Sequence, residues 1–408
     1  MDNITHALAG LLIADTVIAT QRALGHEITD TARRTIVIVG VVTAELPDID
    51  LAWSGLGRGG ARALDYMLHH RGHSHTLVVA VVAAVVIWCV LLALGRANRA
   101  PGVRGALLVT CVLGTLSHIL LDWTNSYGVH PFWPFDGRWY YGDAVFIVEP
   151  WLWVVAMPAV LLGERTRATR VVLALLLAAI LALAWGTDNV APWMAALLTF
   201  GTLAMLVVAA RTRAVVRPLL AIGAWIAVEA TFFAAGRAAE ARVRVAVPNA
   251  ADVVLTPGAA DPLCWSVLVV TGDEPASTYR VQGAVVRPVP TLRREASCRV
   301  RRAAGLDLPP SPESAVDGIR WTGEWRAPLA ELQALARSDC RAAAALRFMR
   351  VPAWDRTGDV VELWDLRYGR GGFASITSDG RGACPTTVPG WRAPRGAMLV
   401  GSPVGTGS

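Results

Sequence analysis

Lysine is absent from this 408-residue sequence, so arginine alone supplies its 38 basic side chains and its net charge of +6. The arginines fall between apolar segments instead of gathering in one stretch, which argues against a nucleic-acid partner. A basic N-terminal region and an A-x-A cleavage site are also missing, so we expect no cleaved signal peptide. The six cysteines never adopt C-x-x-C spacing, which disfavours a zinc ribbon.

Apolar residues make up 54% of the sequence and are concentrated before position 235. Runs close to the roughly 20 residues that cross a bilayer recur there. We therefore predict a multi-pass, α-helical membrane domain at 1–236. Its transmembrane helices, about eight in number, are expected at 4–19, 35–53, 76–95, 105–123, 144–163, 170–186, 190–210 and 215–235.

The segment 237–389 has the composition of a soluble domain. Short apolar or alternating runs predict strands of a mainly antiparallel sheet at 242–247, 265–270, 279–286, 360–366 and 373–376. An Ala- and Leu-rich run at 329–347 predicts a helix, so the expected class is α+β. Four cysteines predict two disulfides with three possible pairings: Cys264, Cys298, Cys340 and Cys384. Segment 390–408, rich in Gly, Pro and Ser, is expected to be disordered.

Arginines mark alternate gaps between the apolar runs. The rich gaps hold Arg22, Arg33 and Arg34; Arg96, Arg99 and Arg104; Arg165, Arg167 and Arg170; and Arg211, Arg213 and Arg217. The positive-inside bias places these gaps in the cytoplasm, although one opposing gap holds Arg58, Arg62 and Arg71. This orientation puts both chain ends, the α+β domain and the candidate ligands below on the extracytoplasmic face.

Ionisable side chains at the ends of apolar helices mark a candidate functional site, because such groups are costly near lipid. His118 and Asp122 are spaced i, i+4, so both lie on one helix face within reach of one ion. A hydrogen bond between helices is the alternative. Asp48 and Asp50 follow Pro47, and two carboxylates so close repel unless a cation or proton lies between them. A helix-ending turn explains them equally well.

The run from His69 to Thr76 contains His70, His73 and His75, and imidazole nitrogen is a common ligand for zinc and other first-row metals. A solvated polar loop is the alternative. Arg71, within this run, could bind a phosphate or carboxylate with two nitrogens.

Three further groups belong to the candidate set. Asp2 and His6 are spaced i, i+4, so the carboxylate could orient the imidazole, or the pair could be an incidental feature of the N-terminus. Asp143 and Glu149 flank the start of the fifth apolar run, where either could be a metal ligand or a general base.

The first 150 or so positions resemble a bacterial family of inner-membrane, metal-dependent hydrolases that is LexA-regulated and induced by DNA damage. The matching segments are MDNITHALAG, ELPDID, HRGHSHT, SHILLDWTNSYGVHPFWPF and GDAVFIVEP. The resemblance implies a multi-pass membrane protein with an appended domain. Carried over position by position, it implies a site of His6, Asp48, Asp50, His70, His75, His118 and Asp122, with Asp143 less closely matched. His73 lies outside that pattern, and Glu149 stands where an Asp is expected. A fainter likeness to zinc-dependent phospholipases C serves as analogy only.

Together these observations predict a metal-dependent hydrolase at the extracytoplasmic face of a bacterial inner membrane. A divalent metal, zinc first and manganese or iron as alternatives, would be held by His6, Asp48, His70, His75, His118 and Asp122. Asp50, Asp143 or Glu149 would accept a proton from water, and Arg71 would bind an anionic substrate. The expected substrate is a membrane lipid ester or a lipid-linked phosphoester. The rival hypotheses are a non-enzymatic membrane protein with a structural metal or polar cluster, and a metal or ion transporter.

Overall fold

The computed structural model describes residues 1–54, 60–95, 98, 100–273, 278–294, 298, 308–311 and 315–400. Three arginines of the orientation argument, Arg58, Arg96 and Arg99, lie outside the described residues. Helices form most of the first 246 positions: α1 (Asn3–Ala23), α2 (Asp30–Glu45), α3 (Leu51–Ser54), α4 (Gly60–His69), α5 (Leu77–Leu94), α6 (Pro101–Trp123), α7 (Pro150–Gly163), α8 (Arg167–Gly186), α9 (Pro192–Arg211) and α10 (Arg217–Ala246). Two 3-10 segments, Leu46–Asp50 and His73–His75, precede α3 and α5.

Among the described residues, six helices are long and apolar enough to cross a membrane, namely α1, α5, α6, α8, α9 and α10, and α7 is a shorter apolar helix. The prediction of eight spans is therefore corrected to six or seven. The difference lies in α2, which has only 16 residues and a length of about 24 Å, less than the hydrocarbon thickness. Its first turns carry Asp30, Arg33 and Arg34.

Two other predicted boundaries are corrected. The segment predicted as a strand at 242–247 belongs to α10, whose last turns are stabilised by Glu240. That carboxylate accepts hydrogen bonds from Arg237 and Arg244, each at 2.8 Å. Such i, i+3 and i, i+4 pairs favour helix over the local alternation. Helix α7 begins at Pro150 instead of 144, because Pro150 suits a first helical turn and Glu149 accepts the backbone N–H of Trp151.

The C-terminal region contains two antiparallel sheets. The first has the order β1 (Asp252–Gly258), β2 (Asp261–Asp273), β3 (Thr278–Val286) and β4 (Ile319–Pro328). The second has the order β5 (Pro352–Thr357), β6 (Val360–Asp365) and β7 (Ser375–Ser378). The remaining helices are α11 (Leu329–Ser338), α12 (Cys340–Ala345) and α13 (Gly396–Val400). The α+β prediction is confirmed, and so are two disulfides, Cys264–Cys298 and Cys340–Cys384.

Both faces of the first sheet are covered, which follows from the two-residue alternation of strand side chains. Val267 and Val269 share a hydrophobic core with Phe232 and Val243 of α10. Leu268 and Val270 face the opposite way and belong to the core that includes α11 and α12. The sheet therefore rests directly on the membrane domain.

The segment after position 389 was expected to be disordered, but Trp391 and Arg392 contact the membrane domain, and Arg395 and Met398 contact the α+β region. Trp391 is buried, and its indole N–H donates to the carbonyl of Leu68 at 2.9 Å. Arg392 N–H donates to the carbonyl of Gly137 at 2.9 Å. One buried indole outweighs the Gly and Pro content that suggested disorder. Residues 401–408 lie outside the described part.

We predict that Gly40→Ala destabilises the protein by about 1–3 kcal/mol through overpacking. A β-carbon at Gly40 would lie 2.5 Å from the carbonyl oxygen of Gly10, so α1 and α2 would have to separate. Gly105→Ala, in α6, is the matched control, because a β-carbon there would meet nothing within 4 Å. Thermal unfolding in detergent should show a lower midpoint for Gly40→Ala only. Equal midpoints for both variants would contradict the close helix contact.

Candidate metal centre

The candidate ligands converge at one end of the helical bundle. Asp48 lies in the 3-10 segment that follows α2, and His75 immediately precedes α5. His118 and Asp122 lie in the last two turns of α6. The four residues thus come from three segments that are distant in sequence. The grouped ligand atoms lie within 4.8 Å of one another, so these residues could hold a metal ion.

Each of the two histidines is held by its Nδ1 atom. His118 Nδ1 donates to the carbonyl of Ala44, in the last turn of α2, at 2.5 Å. His75 Nδ1 lies 3.0 Å from Ser74 Oγ and 3.3 Å from Asp50 Oδ2. Because Ser74 gives its own hydrogen to Asp50, its oxygen is free to accept from His75. In the neutral form of both rings the hydrogen therefore belongs on Nδ1, which leaves a lone pair on Nε2.

The two Nε2 atoms face each other at 3.1 Å. Two lone pairs at that distance repel unless a proton or a metal ion lies between them. Asp122 Oδ2 lies 3.1 Å from His75 Nε2 and 3.5 Å from His118 Nε2. Asp48 Oδ1 lies 3.4 Å and 3.5 Å from the same two nitrogens.

These spacings fit a tetrahedral divalent site. Ligand atoms about 2.0–2.1 Å from a zinc ion lie about 3.3 Å apart at tetrahedral angles. In addition, Asp122 Oδ2 is buried and has no hydrogen-bond partner among the described residues. An orphaned carboxylate oxygen opposite two imidazole lone pairs is the donor set that a cation would satisfy.

Arg71 neutralises the other oxygen of Asp122. Its Nη2 lies 2.7 Å from Asp122 Oδ1, and its Nη1 donates to the Asp122 carbonyl at 3.3 Å and to Asn125 Oδ1 at 3.0 Å. The same Oδ1 contacts the amino group of Met1. The arginine therefore fixes the orientation of Asp122 and leaves Oδ2 for the centre of the cluster.

Asp50 and His70 form a second layer beside the four ligands. His70 Nδ1 lies 2.8 Å from Asp50 Oδ1, and Asp50 Oδ2 accepts the backbone N–H of Arg71 at 3.0 Å. Burial alone would raise the pKa of Asp50, but hydrogen bonds from His70 and His75 hold it well below its usual range. Asp48, Asp50 and His70 also offer a second group of atoms that could hold a metal ion.

His6 lies beside this cluster without joining either group. Its ring stacks on His118 with centroids 3.7 Å apart, and its Nε2 lies 3.3 Å from Asp122 Oδ1. Asp2 does not orient it, because Asp2 caps α1 by accepting the N–H and the hydroxyl of Thr5. His73 packs instead against the rings of Trp133 and Trp391.

Asp143 and Glu149 have other partners. Asp143 pairs with Arg350 of the α+β region at 2.9 Å, and burial raises its pKa to about 6 despite that arginine. Glu149 accepts the backbone N–H groups of Trp151 and Ala260, each at 3.2 Å. Burial raises the pKa of Glu149 to about 8. Neither carboxylate is brought into the His and Asp cluster.

Sequence reasoning missed Ser74 and His130. Ser74 links Asp50 to His75, and only its position between two histidines could have drawn attention to it. His130 is fully buried, with its ring centroid 3.8 Å from those of Trp139 and Trp391. Burial lowers the pKa of His130 to about 3, so this imidazole is neutral.

Comparison with known proteins gives one match. Residues 1–192 match the family described as YdjM inner membrane protein. This stretch contains α1 to α8 and all four residues of the main cluster. No curated protein and no solved structure matches the chain. The match covers just under half of the chain and, with six or seven apolar candidate spans, supports the inner-membrane, multi-pass part of the sequence-based resemblance, while LexA regulation and hydrolase activity stay predictions.

We predict that His118→Ala removes most bound zinc and that Asp50→Asn weakens zinc affinity by about 10–100-fold, as loss of a ligand-orienting partner does. His26→Ala is the control, because His26 is exposed and remote in sequence from these ligands. Elemental analysis and competition with a chelator measure both effects in purified protein. Equal zinc content in wild type and His118→Ala would exclude this ligand set.

Metal affinity should also rise with pH. Burial alone would lower the pKa of His75, but once Nε2 also carries a proton the ring forms hydrogen bonds with Asp122, Asp48 and Asp50, and these raise its pKa to about 10. Below that pH the free site carries a proton that a metal ion must displace, so affinity should increase about tenfold per pH unit for one displaced proton. Titration calorimetry in buffers of different ionisation enthalpy counts the protons released. A constant affinity between about pH 6 and pH 8 would contradict proton displacement.

Proposed function

We propose that this protein is a membrane-bound, metal-dependent hydrolase whose site lies at the extracytoplasmic face of the inner membrane. The observation that carries the proposal is the pair of Nε2 lone pairs on His75 and His118, 3.1 Å apart, with oxygens of Asp48 and Asp122 at 3.1–3.5 Å. The mixed nitrogen and oxygen donor set suits zinc first, with manganese or iron as alternatives. When bound, such an ion polarises an ester or phosphoester oxygen and acidifies water.

The side chains around the four ligands supply proton transfer. His70 donates its Nδ1 hydrogen to Asp50, so its Nε2 is the free base of a His–Asp pair. We assign proton acceptance from water to His70, with Asp50 holding the ring. Asp50 itself accepts from His70, Ser74 and the Arg71 backbone, which leaves it poorly suited to act as the base directly.

The exposed fractions of the ligand side chains support an approach of water and substrate from the side of Asp48. The Asp48 side chain is 11% exposed, whereas those of His75, His118 and Asp122 are 0% exposed. Asp48, Asp50 and His70 lie together, so water and substrate would reach the ligands over this group. A purely structural ion needs no such opening.

The position of the ligands at helix ends supports a substrate at the membrane surface, so we propose a lipid ester or lipid-linked phosphoester. It argues against a transporter, whose ligands lie near the bilayer midplane. The arginine bias supports the extracytoplasmic orientation of the site and of the α+β region, whose chain enters at the end of α10. Induction by DNA damage rests on the sequence resemblance alone.

The test is cleavage of lipid esters and phosphoesters by full-length protein in detergent, with and without chelator. We expect activity that is lost with chelator and restored by zinc. His70→Gln should keep stoichiometric metal yet lose about 10²–10⁴-fold in rate, the usual contribution of a general base. His26→Ala should match the wild type. Full metal occupancy with no cleavage of any substrate, together with a lower melting temperature for His118→Ala, would establish a structural ion instead.

A further inference from the structure

An aromatic-lined region joins the metal centre to the α+β region. Tyr127, which follows α6, lies at its middle. The Arg71 Cζ atom is 4.7 Å from the centroid of the Tyr127 ring, and the His70 ring is 5.6 Å from it. On the other side, the ring of Tyr368 lies 6.1 Å from that of Tyr127. Tyr368 comes from the α+β region, so residues from both parts of the chain surround Tyr127.

Four buried polar atoms in this region have no hydrogen-bond partner among the described residues: Arg71 Nε, Asn125 Nδ2, and the hydroxyl oxygens of Tyr127 and Tyr368. Buried polar groups are nearly always paired, so a cluster of four unpaired ones is unusual. Arg71, Asn125 and Tyr127 are themselves almost completely buried. These three side chains are therefore shielded from bulk water.

All four atoms can donate a hydrogen bond. Asn125 Oδ1 already accepts from Arg71 Nη1 at 3.0 Å and from the Tyr127 N–H at 2.9 Å, which fixes Nδ2 as the free donor. The guanidinium has no acceptor atom at all. Burial raises the pKa of Tyr368 to about 12, so its hydroxyl keeps its hydrogen at neutral pH. Because the charge of Arg71 is already paired with Asp122, it is the four free donors that call for a ligand with several acceptor oxygens.

We propose that Arg71, Asn125, Tyr127 and Tyr368 form a phosphate-binding subsite that the membrane domain and the α+β region share. This inference rests on the proposed function in one respect, because the subsite would hold the phosphate of a phosphoester beside the metal centre. Phosphate offers more acceptor oxygens than a carboxylate, which matches the number of free donors. The α+β region thereby contributes directly to substrate recognition.

The placement of Tyr368 is fixed by its neighbour. Arg367 Nη1 donates to the carbonyls of Ser126 at 2.6 Å and Tyr127 at 3.3 Å. Its Nη2 donates to Asp365 at 2.8 Å. Through these hydrogen bonds, Arg367 connects the loop after β6 to the segment after α6. Tyr368 is consequently held next to Tyr127 even before any ligand binds.

The experiment compares Tyr127→Phe and Tyr368→Phe with wild type, using full-length protein and titration calorimetry. Each change removes one hydroxyl and keeps the ring. Tyr279→Phe is the matched control, since Tyr279 is also buried with an unpartnered hydroxyl but packs against Trp325 and Trp354. The probes are inorganic phosphate, acetate and short-chain phosphatidic acid. Zinc content and thermal unfolding are measured for every variant.

We expect Tyr127→Phe and Tyr368→Phe each to weaken phosphate binding about tenfold or more, as loss of a hydrogen bond to a charged group does. Zinc content should not change, and Tyr279→Phe should bind phosphate like wild type. Acetate should bind more weakly than phosphate. Tighter binding of short-chain phosphatidic acid than of inorganic phosphate would identify a lipid headgroup as the source, whereas equal affinity would identify free phosphate.

Failure of this inference and failure of the proposed function give different results. Unchanged phosphate affinity in both tyrosine variants overturns the subsite, even if zinc binds and cleavage is observed. Conversely, loss of phosphate affinity in both variants retains the subsite even if the wild type neither binds zinc nor cleaves a substrate. An acetate affinity equal to that for phosphate would also overturn the assignment to phosphate.

Discussion

The interaction on which the rest of this structure depends is the facing of two imidazole lone pairs, those of His75 and His118. Each ring is fixed through its Nδ1: His118 by the Ala44 carbonyl, and His75 by Ser74 and Asp50. The last-turn carbonyls of an α-helix lack intrahelical donors, so the end of α2 can supply the first of these partners. A β-carbon at Gly114 of α6 would lie 3.4 Å from the backbone nitrogen of Ala44, so the close contact of α2 with α6 sets where that carbonyl lies.

The cluster also explains the placement of charge around it. Asp48, Asp50 and Asp122 are gathered in a region that contains Arg71 as its permanent cation, and burying unbalanced carboxylates is costly. A divalent ion balances that charge and replaces the proton that His75 would otherwise carry. The α+β region is joined to the same end of the bundle by a second buried network, in which Arg350 pairs with Asp143 and Asp252. The ion pair between Asp143 and Arg350 thus connects the membrane domain to the α+β region.

Much of this architecture could be predicted from local sequence, and the exceptions have physical causes. Helix geometry alone was enough to predict that His118 and Asp122 share one helix face and that the ligands lie at helix ends. Long-range partners were not predictable: Asp143 meets Arg350 and Glu149 meets Ala260, more than 100 residues away in each case. Helix α4, which carries Tyr66 and leads into His70, was not predicted, because its sequence contains no long run of apolar residues. The prediction that the tail is disordered was wrong, because it relied on the Gly, Pro and Ser content and took no account of Trp391, which is buried.

The most direct test of the central claim is X-ray absorption spectroscopy at the zinc edge on full-length protein loaded with one equivalent of zinc. We predict a first shell of two imidazole nitrogens and two carboxylate oxygens at about 2.0–2.2 Å, with one further oxygen from water. The signature of outer-shell imidazole scattering should fall by half in His118→Ala. A first shell of water oxygens alone, or one containing sulfur at about 2.3 Å, would contradict it.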